Sequence, residues 1–126
     1  MHLVEAFRKG LRELGDVEGE TFVLELRYAE ARAERLSDLA RELVSLKVDV
    51  IVVAGDLAIA AAKQQTQTIP IVMAISTDPL ATGFVSSLAR PSGNVTGLSN
   101  ISPELRGKQL ELLKEAVLGL TRVAFL

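Results

Sequence analysis

Apolar residues recur at helical spacing in two segments, one near the start of the chain and one before residue 46. In each segment the apolar positions are three or four residues apart, and the first segment ends at Gly15. The periodic positions are Val4, Phe7, Leu11 and Leu14 in the first segment, and Leu36, Leu39, Ala40, Leu43 and Val44 in the second. This spacing predicts two amphipathic helices, each with one face available for packing.

Three patterns of apolar residues predict strands. In "TFVLELRY" the side chains of Phe22, Leu24, Leu26 and Tyr28 alternate with the rest, which predicts an edge strand with one buried face. The runs "VDVIVVAG" and "IPIVMAI" are short, rich in β-branched residues and almost without a polar face. Such runs are typical of central strands in a parallel sheet that helices cover on both faces. "NVTGLS" predicts a shorter strand.

The remaining segments complete an alternating order of helices and strands. "DLAIAAAKQQTQ" predicts a helix with Asp56 as its cap, and the triplet Ser102, Pro103, Glu104 begins another that extends to Gly119. "RVAFL" predicts a last strand. The order indicates an α/β fold, a doubly wound parallel sheet with a flavodoxin-like strand order. Because such folds begin with a central strand and this pattern begins with a helix, we expect the first strand to be missing.

Composition narrows the class of protein. The chain has 126 residues, is 48% hydrophobic and carries a net charge of −2, which suits one core and gives no reason to expect binding to nucleic acid. It contains no cysteine and a single histidine, His2. No apolar run approaches the roughly 18 residues of a membrane span, and no signal peptide opens the sequence. On these grounds alone the chain would be expected in the cytoplasm.

Candidate binding residues follow from the rule that open α/β sheets bind ligands beyond the carboxyl ends of their strands. The small side chains, hydroxyls and backbone N–H groups found there suit a small polar or zwitterionic ligand. The candidates are Gly55, Asp56 and Leu57 after one strand, Ser76, Thr77 and Asp78 after the next, and Gly97, Leu98 and Ser99 at the end of the third. A purely structural interpretation is also open: Asp56 caps a helix, Asp78 with Pro79 begins a turn, and the glycines form turns.

Enzymatic motifs are not found in the sequence. There is no nucleophile–base pair at the candidate positions, no phosphate-binding loop and no dinucleotide-binding glycine motif. Asp49, Asp56 and Asp78 do not form a plausible metal cluster, because they fall on different loops or opposite strand ends. We therefore predict neither catalysis nor a cofactor or metal.

The sequence resembles the ABC transporter substrate-binding proteins of the tryptophan or aromatic-amino-acid type over essentially its whole length. The resemblance is carried by "GLRELG", by the segment "IPIVMAISTDPLATGFVSSLARPSGNVTGLS" and by "ELRGKQLELLKEA". It implies a periplasmic-binding-protein-like clamshell, of which residues 1–120 would form the N-terminal lobe and residues 121–126 the strand leading into a second lobe. It also implies extracytoplasmic capture of a small solute, in the periplasm or as a lipoprotein, for an ABC import permease.

One position departs from the family pattern. Family members often have a small hydroxyl residue followed by proline where this chain has Asp56 and Leu57. A carboxylate at the start of a helix neutralises the helix terminus and opposes a ligand carboxylate.

Two other functions remain open from the sequence. The chain could be a stand-alone cytoplasmic small-molecule sensor or interaction domain derived from such a lobe. A flavodoxin-like enzyme is disfavoured because the sequence offers no candidate catalytic base, nucleophile, metal cluster or phosphate-binding loop. Unpaired strand edges further predict that the 121–126 strand fills the vacant position, either within one chain or, as we favour, by exchange between two chains in a homodimer.

Overall fold

The computed structural model describes residues 2–100, 102–117, 119 and 121–122. The described residues form four helices and three strands, and a 3₁₀ turn at Ala33–Arg35 leads into the second helix. The elements are helices α1 (His2–Glu13), α2 (Leu36–Ser45), α3 (Asp56–Gln65) and α4 (Ser102–Ala116), with strands β1 (Ile51–Ala54), β2 (Ile71–Ser76) and β3 (Val95–Ser99). All four predicted helices are confirmed, although α4 ends three residues before Gly119.

The three strands form one parallel sheet in the order β1-β2-β3. Ile51 pairs with Ile71, which pairs with Val95, and two residues further on Val53 pairs with Met73 and Met73 with Gly97. Successive strands are therefore joined by crossovers, as parallel pairing requires. The α/β fold class and the parallel sheet predicted from the apolar runs are confirmed.

The hydrophobic core lies on one face of the sheet. Ile51, Ile71 and Val95, aligned by the strand register, are buried there against Ile59 and Ala62 of α3. α2 packs on α3 as a further layer. Because side chains alternate between the faces of a strand, Ile51 and Val53 of β1 and Ile71 and Met73 of β2 all face this core. Burial of this apolar surface is the dominant favourable term that holds the sheet and α3 together.

The opposite face of the sheet is more exposed. Val52 of β1 and Leu98 of β3 have exposed fractions of 42% and 71%. The sequence predicts helices over both faces. Within the described residues, helix α3 packs on the core face, whereas Val52 and Leu98 on the other face stay exposed.

The predicted edge strand at residues 22–28 is wrong. Phe22 forms an isolated β-bridge with Glu18, and residues 23–28 are not in a strand. The alternation itself persists, because Leu24 and Leu26 are half-buried whereas Val23 is 77% exposed. Alternation predicts a buried face, but a strand also needs a neighbouring strand for its backbone groups, and none lies beside this segment in the described part of the chain.

The predicted last strand lies mostly outside the described residues. Thr121 and Arg122 have no regular structure, and residues 123–126 are not described. The division of the chain at residue 120 and the exchange of the 121–126 strand therefore stay predictions. In the part of the chain that the structure describes, no helix combines the length and apolar character needed to cross a membrane.

Candidate functional site

The carboxyl ends of the three strands meet at one edge of the sheet, here called the carboxyl edge and comprising residues 55–57, 76–78 and 97–99. Backbone hydrogen bonds hold the ends in line. The Gly55 N–H donates to the Ile75 carbonyl at 3.1 Å, and the Asn100 N–H donates to the Ser76 carbonyl at 2.7 Å. Ser76 also pairs in register with Ser99. The structure thus brings together the candidate residues that the sequence placed on separate loops.

Asp56, Ser76 and Thr77 form a hydrogen-bonded group at this edge, here called the carboxylate cluster. The Ser76 hydroxyl donates to Asp56 Oδ1 at 2.7 Å, and the Thr77 N–H donates to the same oxygen at 3.3 Å. The Thr77 hydroxyl donates to Asp56 Oδ2. Ser76 is fully buried, whereas Asp56 is half-buried and Thr77 is exposed. The cluster therefore extends from the protein interior to the surface.

The Asp56 carboxylate is stabilised in its charged form. Hydrogen bonds from the Thr77 hydroxyl, and then from the Ser76 hydroxyl, hold the pKa of Asp56 below its ordinary value, with a smaller contribution from the Thr77 N–H. Partial burial acts in the opposite direction and is outweighed. Because donors that favour the anion lower a carboxyl pKa, Asp56 is a full negative charge at neutral pH.

The prediction that Asp56 is the cap of α3 is wrong. Gly55 occupies the N-cap position, with a φ of 93° that favours glycine, and Asp56 is the first residue of the helix. The Asp56 carboxylate accepts its hydrogen bonds from Ser76, the last residue of β2, and from Thr77, which follows it, instead of capping the helix. Its negative charge still lies beside the positive end of the helix dipole, which it partly neutralises.

The other candidates on the first two loops lie outside the cluster. Leu57 is an exposed residue on the first turn of α3. Asp78 begins a turn, as its structural interpretation predicts: its Oδ1 accepts the Ala81 N–H at 3.0 Å, and its carbonyl accepts the Thr82 N–H at 3.1 Å. Asp78 therefore supports the loop that follows β2.

A cavity of about 290 Å³ lies between β3 and the segment that precedes it. Gly97 and Ser99 contribute to its wall, and Ser99 connects it to the carboxylate cluster through its pairing with Ser76. The lining is mostly apolar or small: Met73, Pro79, Val85, Ser87, Leu88, Ala89, Pro91, Thr96, Gly97 and Ser99. Sequence reasoning missed the cavity wall from residues 79 to 91, although the apolar residues within this polar loop were a signal that it packs.

The cavity wall is anchored at several points. Phe84 and Val85 are buried in the core, and both of their N–H groups donate to the Pro79 carbonyl. Lys63 of α3 donates through Nζ to the Gly83 carbonyl at 2.8 Å. The segment between β2 and β3 is therefore a folded wall, because its backbone is tied to the core and to α3.

Gly97 permits the close approach of β2 and β3 beside the cavity. Its φ is +137°, a region that side-chain-bearing residues avoid. A Cβ atom built at Gly97 would collide with the Met73 carbonyl oxygen and would lie 2.5 Å from the Met73 nitrogen. The role of Gly97 at this edge is therefore steric.

The carboxyl edge offers binding groups without catalytic ones. Its polar side chains are hydroxyls and carboxylates, with no histidine, cysteine or lysine in the three segments. Within the described ranges, no three side chains of His, Cys, Asp or Glu converge to hold a metal ion. The arrangement can hold and orient a small molecule through hydrogen bonds and charge.

Comparisons with known proteins are consistent with this geometry. A family model described as ABC transporter substrate binding protein matches residues 1–126. The chain is 34% identical over 111 residues to a tyrosine-binding protein of Clostridioides difficile (strain R20291), which covers 87% of this chain and 31% of that protein.

Three solved structures also resemble this chain. A conserved domain protein from Vibrio cholerae matches with a TM-score of 0.81 and 32% identity, over 91% of this chain and 38% of that one. An ABC domain in complex with L-Trp from Streptococcus pneumonia matches with a TM-score of 0.78 and 28% identity, over 87% and 36%. A ligand-free, open substrate-binding protein with adhesive properties from Clostridium difficile matches with a TM-score of 0.77 and 32% identity, over 88% and 37%. The chain thus spans about a third of the length of each of these relatives.

Proposed function

The chain belongs to the ABC transporter substrate-binding proteins, as its sequence resemblance predicted, and we propose that it binds a small amino-acid-like solute at the carboxyl edge of its sheet. Members of this family are solute-binding proteins and not enzymes. The observation that carries the proposal is the convergence of Asp56, Ser76 and Thr77 at the strand ends of a solute-binding fold.

The relatives support an amino acid as the solute class. One relative is named a tyrosine-binding protein, and another was solved in complex with L-Trp. An aromatic amino acid needs an apolar surface for its ring and polar groups for its charged end. The cavity beside β3 is lined by apolar side chains such as Met73, Val85 and Leu88 together with serine and threonine side chains, and the carboxylate cluster supplies further polar groups next to it.

The size of the cavity agrees with a site at which this chain provides only part of the contacts of the solute. Its volume of about 290 Å³ lies just below the roughly 300–1,000 Å³ range of small-molecule pockets. An open cleft of this kind contributes part of the contacts of its solute. We therefore expect weak binding by this chain and a larger enclosed volume in relatives that are about three times longer.

We further propose that the chain takes part in import of this solute. The solute would be captured outside the cytoplasm and passed to an ABC permease, the partner that the family implies. The support for this role is family membership alone. Its test is the location of the protein in fractionated cells together with co-purification of permease subunits.

The predicted homodimer is a separate proposal. Exchange of residues 121–126 between two copies would give a discrete dimer whose solution mass, measured by light scattering, stays constant on dilution. Deletion of those residues should abolish the dimer or the fold. A monomeric mass for the intact chain would contradict it.

Calorimetric titration of the chain with L-tyrosine and L-tryptophan tests the binding function. Thr77→Val should weaken binding about 2- to 10-fold, because it removes one hydroxyl hydrogen-bonding group from the cluster. The matched control is Thr68→Val, which removes an exposed hydroxyl ahead of β2, at the opposite end of that strand. Failure of both amino acids to bind, or an equal effect of the two substitutions, would refute the proposed site.

A further inference from the structure

We propose that the carboxylate cluster recognises a protonated amine of the solute and disfavours a solute carboxylate at that position. The inference rests on the proposed function and specifies which end of an amino-acid-like solute the cluster faces. It is drawn from the direction of the hydrogen bonds within the cluster and from the charges along the carboxyl edge.

The side-chain donors of the cluster are already used. A serine or threonine hydroxyl has one hydrogen, and both the Ser76 and the Thr77 hydroxyl hydrogens are directed at the Asp56 carboxylate. The Thr77 N–H is directed there as well. Among its side-chain groups the cluster keeps only oxygen lone pairs for a solute, because the half-buried Asp56 carboxylate and the exposed Thr77 hydroxyl oxygen retain acceptor capacity, while Ser76 is fully buried. A solute group that fits it must therefore donate hydrogen bonds.

The charge of the edge favours the same kind of group. The segments 55–57, 76–78 and 97–99 include two carboxylates, Asp56 and Asp78, and no lysine or arginine. Lys63 lies in the last turn of α3, away from the Asp56 end, where its Nζ donates to the Gly83 carbonyl. A solute carboxylate at the cluster would meet a like charge and no free side-chain donor, whereas an ammonium group would meet an opposite charge and two accessible acceptor groups, the Asp56 carboxylate and the Thr77 hydroxyl.

A purely structural role for the cluster makes a different prediction. If Asp56 served only to join the start of α3 to the end of β2, the charge of the solute would not affect binding. A series of solutes that differ in one charged group therefore separates the two roles. The test uses the unaltered chain, so it does not depend on whether a variant folds.

L-tyrosine, tyramine and 3-(4-hydroxyphenyl)propionate form such a series, because the second lacks the carboxylate and the third lacks the amine. Each is titrated into the chain at neutral pH by calorimetry. We expect tyramine to bind within about tenfold of L-tyrosine, and the propionate to bind at least about tenfold more weakly than tyramine, since a charge-assisted hydrogen bond is lost.

The opposite order, or equal affinities for all three compounds, would overturn the inference while leaving the binding function intact. Absence of binding by all three would overturn both.

A pair of variants assigns the preference to Asp56. Asp56→Asn removes the charge at the cluster with little change in shape, and Asp49→Asn removes a charge ahead of β1, at the opposite end of that strand. We expect the affinity ratio of tyramine to the propionate to fall about tenfold or more in Asp56→Asn and to stay unchanged in Asp49→Asn. An unchanged ratio in a folded Asp56→Asn chain would contradict the assignment.

Discussion

Replacement of Gly97 by alanine tests whether the carboxyl edge depends on the close approach of two strands. The added Cβ would collide with the backbone of Met73: it would be nearest to the carbonyl oxygen and would lie 2.5 Å and 2.8 Å from the nitrogen and Cα atoms. These are backbone atoms in the centre of β2, which cannot rotate away as the end of a side chain can. The two strands must therefore separate.

Two costs add in Gly97→Ala. A side-chain-bearing residue held at a φ of +137° costs about 1–3 kcal/mol. Forced overpacking against Met73 costs about 1–3 kcal/mol more. The sum of about 2–6 kcal/mol is a large part of the roughly 5–15 kcal/mol by which a domain is stable. At about 4 °C per kcal/mol, the midpoint of thermal unfolding should fall by about 8 °C or more.

Gly83→Ala is the matched control. Gly83 also has a positive φ, +72°, but a Cβ there would meet no atom within 4 Å. This variant carries a backbone cost without the collision, so Gly97→Ala should be less stable than Gly83→Ala by about 1–3 kcal/mol. Urea unfolding followed by circular dichroism measures both free energies. Equal losses in the two variants would refute the close approach of β2 and β3.

Three further variants test other parts of the structure. Because the pKa of Asp56 is held below its ordinary value, its stabilising contribution is complete above about pH 4 and is lost as the pH falls and the carboxyl protonates. Asp56→Asn should therefore reduce the loss of unfolding free energy on acidification, and an unchanged pH profile would contradict the network. Asn94 donates through Nδ2 to the carbonyls of Ile69 and Thr66, between α3 and β2, at 2.8 and 3.3 Å. Asn94→Ala should therefore lower the unfolding free energy by about 1–3 kcal/mol. The control Asn100→Ala, at an exposed position, should lower it by no more than about 0.5 kcal/mol. Ile59 is 0% exposed, and Ile59→Ala should cost about 2–5 kcal/mol, whereas Ile75→Ala, at a position 45% exposed, should cost clearly less; comparable urea midpoints would argue against the described core.

The sheet and the convergence of the candidate residues at its carboxyl edge were predictable from the sequence. The continuous apolar runs that became β1 and β2 have no polar face, which is the pattern of strands in a parallel sheet. Parallel pairing brings the carboxyl ends of strands to one edge, so Asp56 and Ser76, which are 20 residues apart, could be expected near each other.

The edge strand and the role of Asp56 were not predictable for a common reason. Local patterns give the face of a segment and the preferences of a residue, but not its partner. Residues 22–28 have the alternation of a strand and no neighbouring strand in the described structure. Asp56 has the preference of a helix cap, yet two hydroxyls at the end of β2, those of Ser76 and Thr77, compete for its carboxylate.

The cavity was missed because its wall forms through tertiary contacts. The segment after β2 is rich in Ser, Gly and Pro, which predicts a loop and not its path. Burial of Phe84 and Val85 in the core turns this loop towards β3. The hydrogen bond from Lys63 to the Gly83 carbonyl joins residues 20 positions apart, which no local pattern indicates.

The most direct test of the central claim, that the carboxyl edge binds the solute, is a titration of the ¹⁵N-labelled chain with L-tyrosine followed by two-dimensional NMR. The account predicts saturable shifts that are largest for the amides of residues 55–57, 76–78 and 97–99. Thr68 and Ile71, which lie before and at the start of β2, should shift little. Shifts centred on that opposite end of the strands, or none up to the solubility limit of the amino acid, would contradict it.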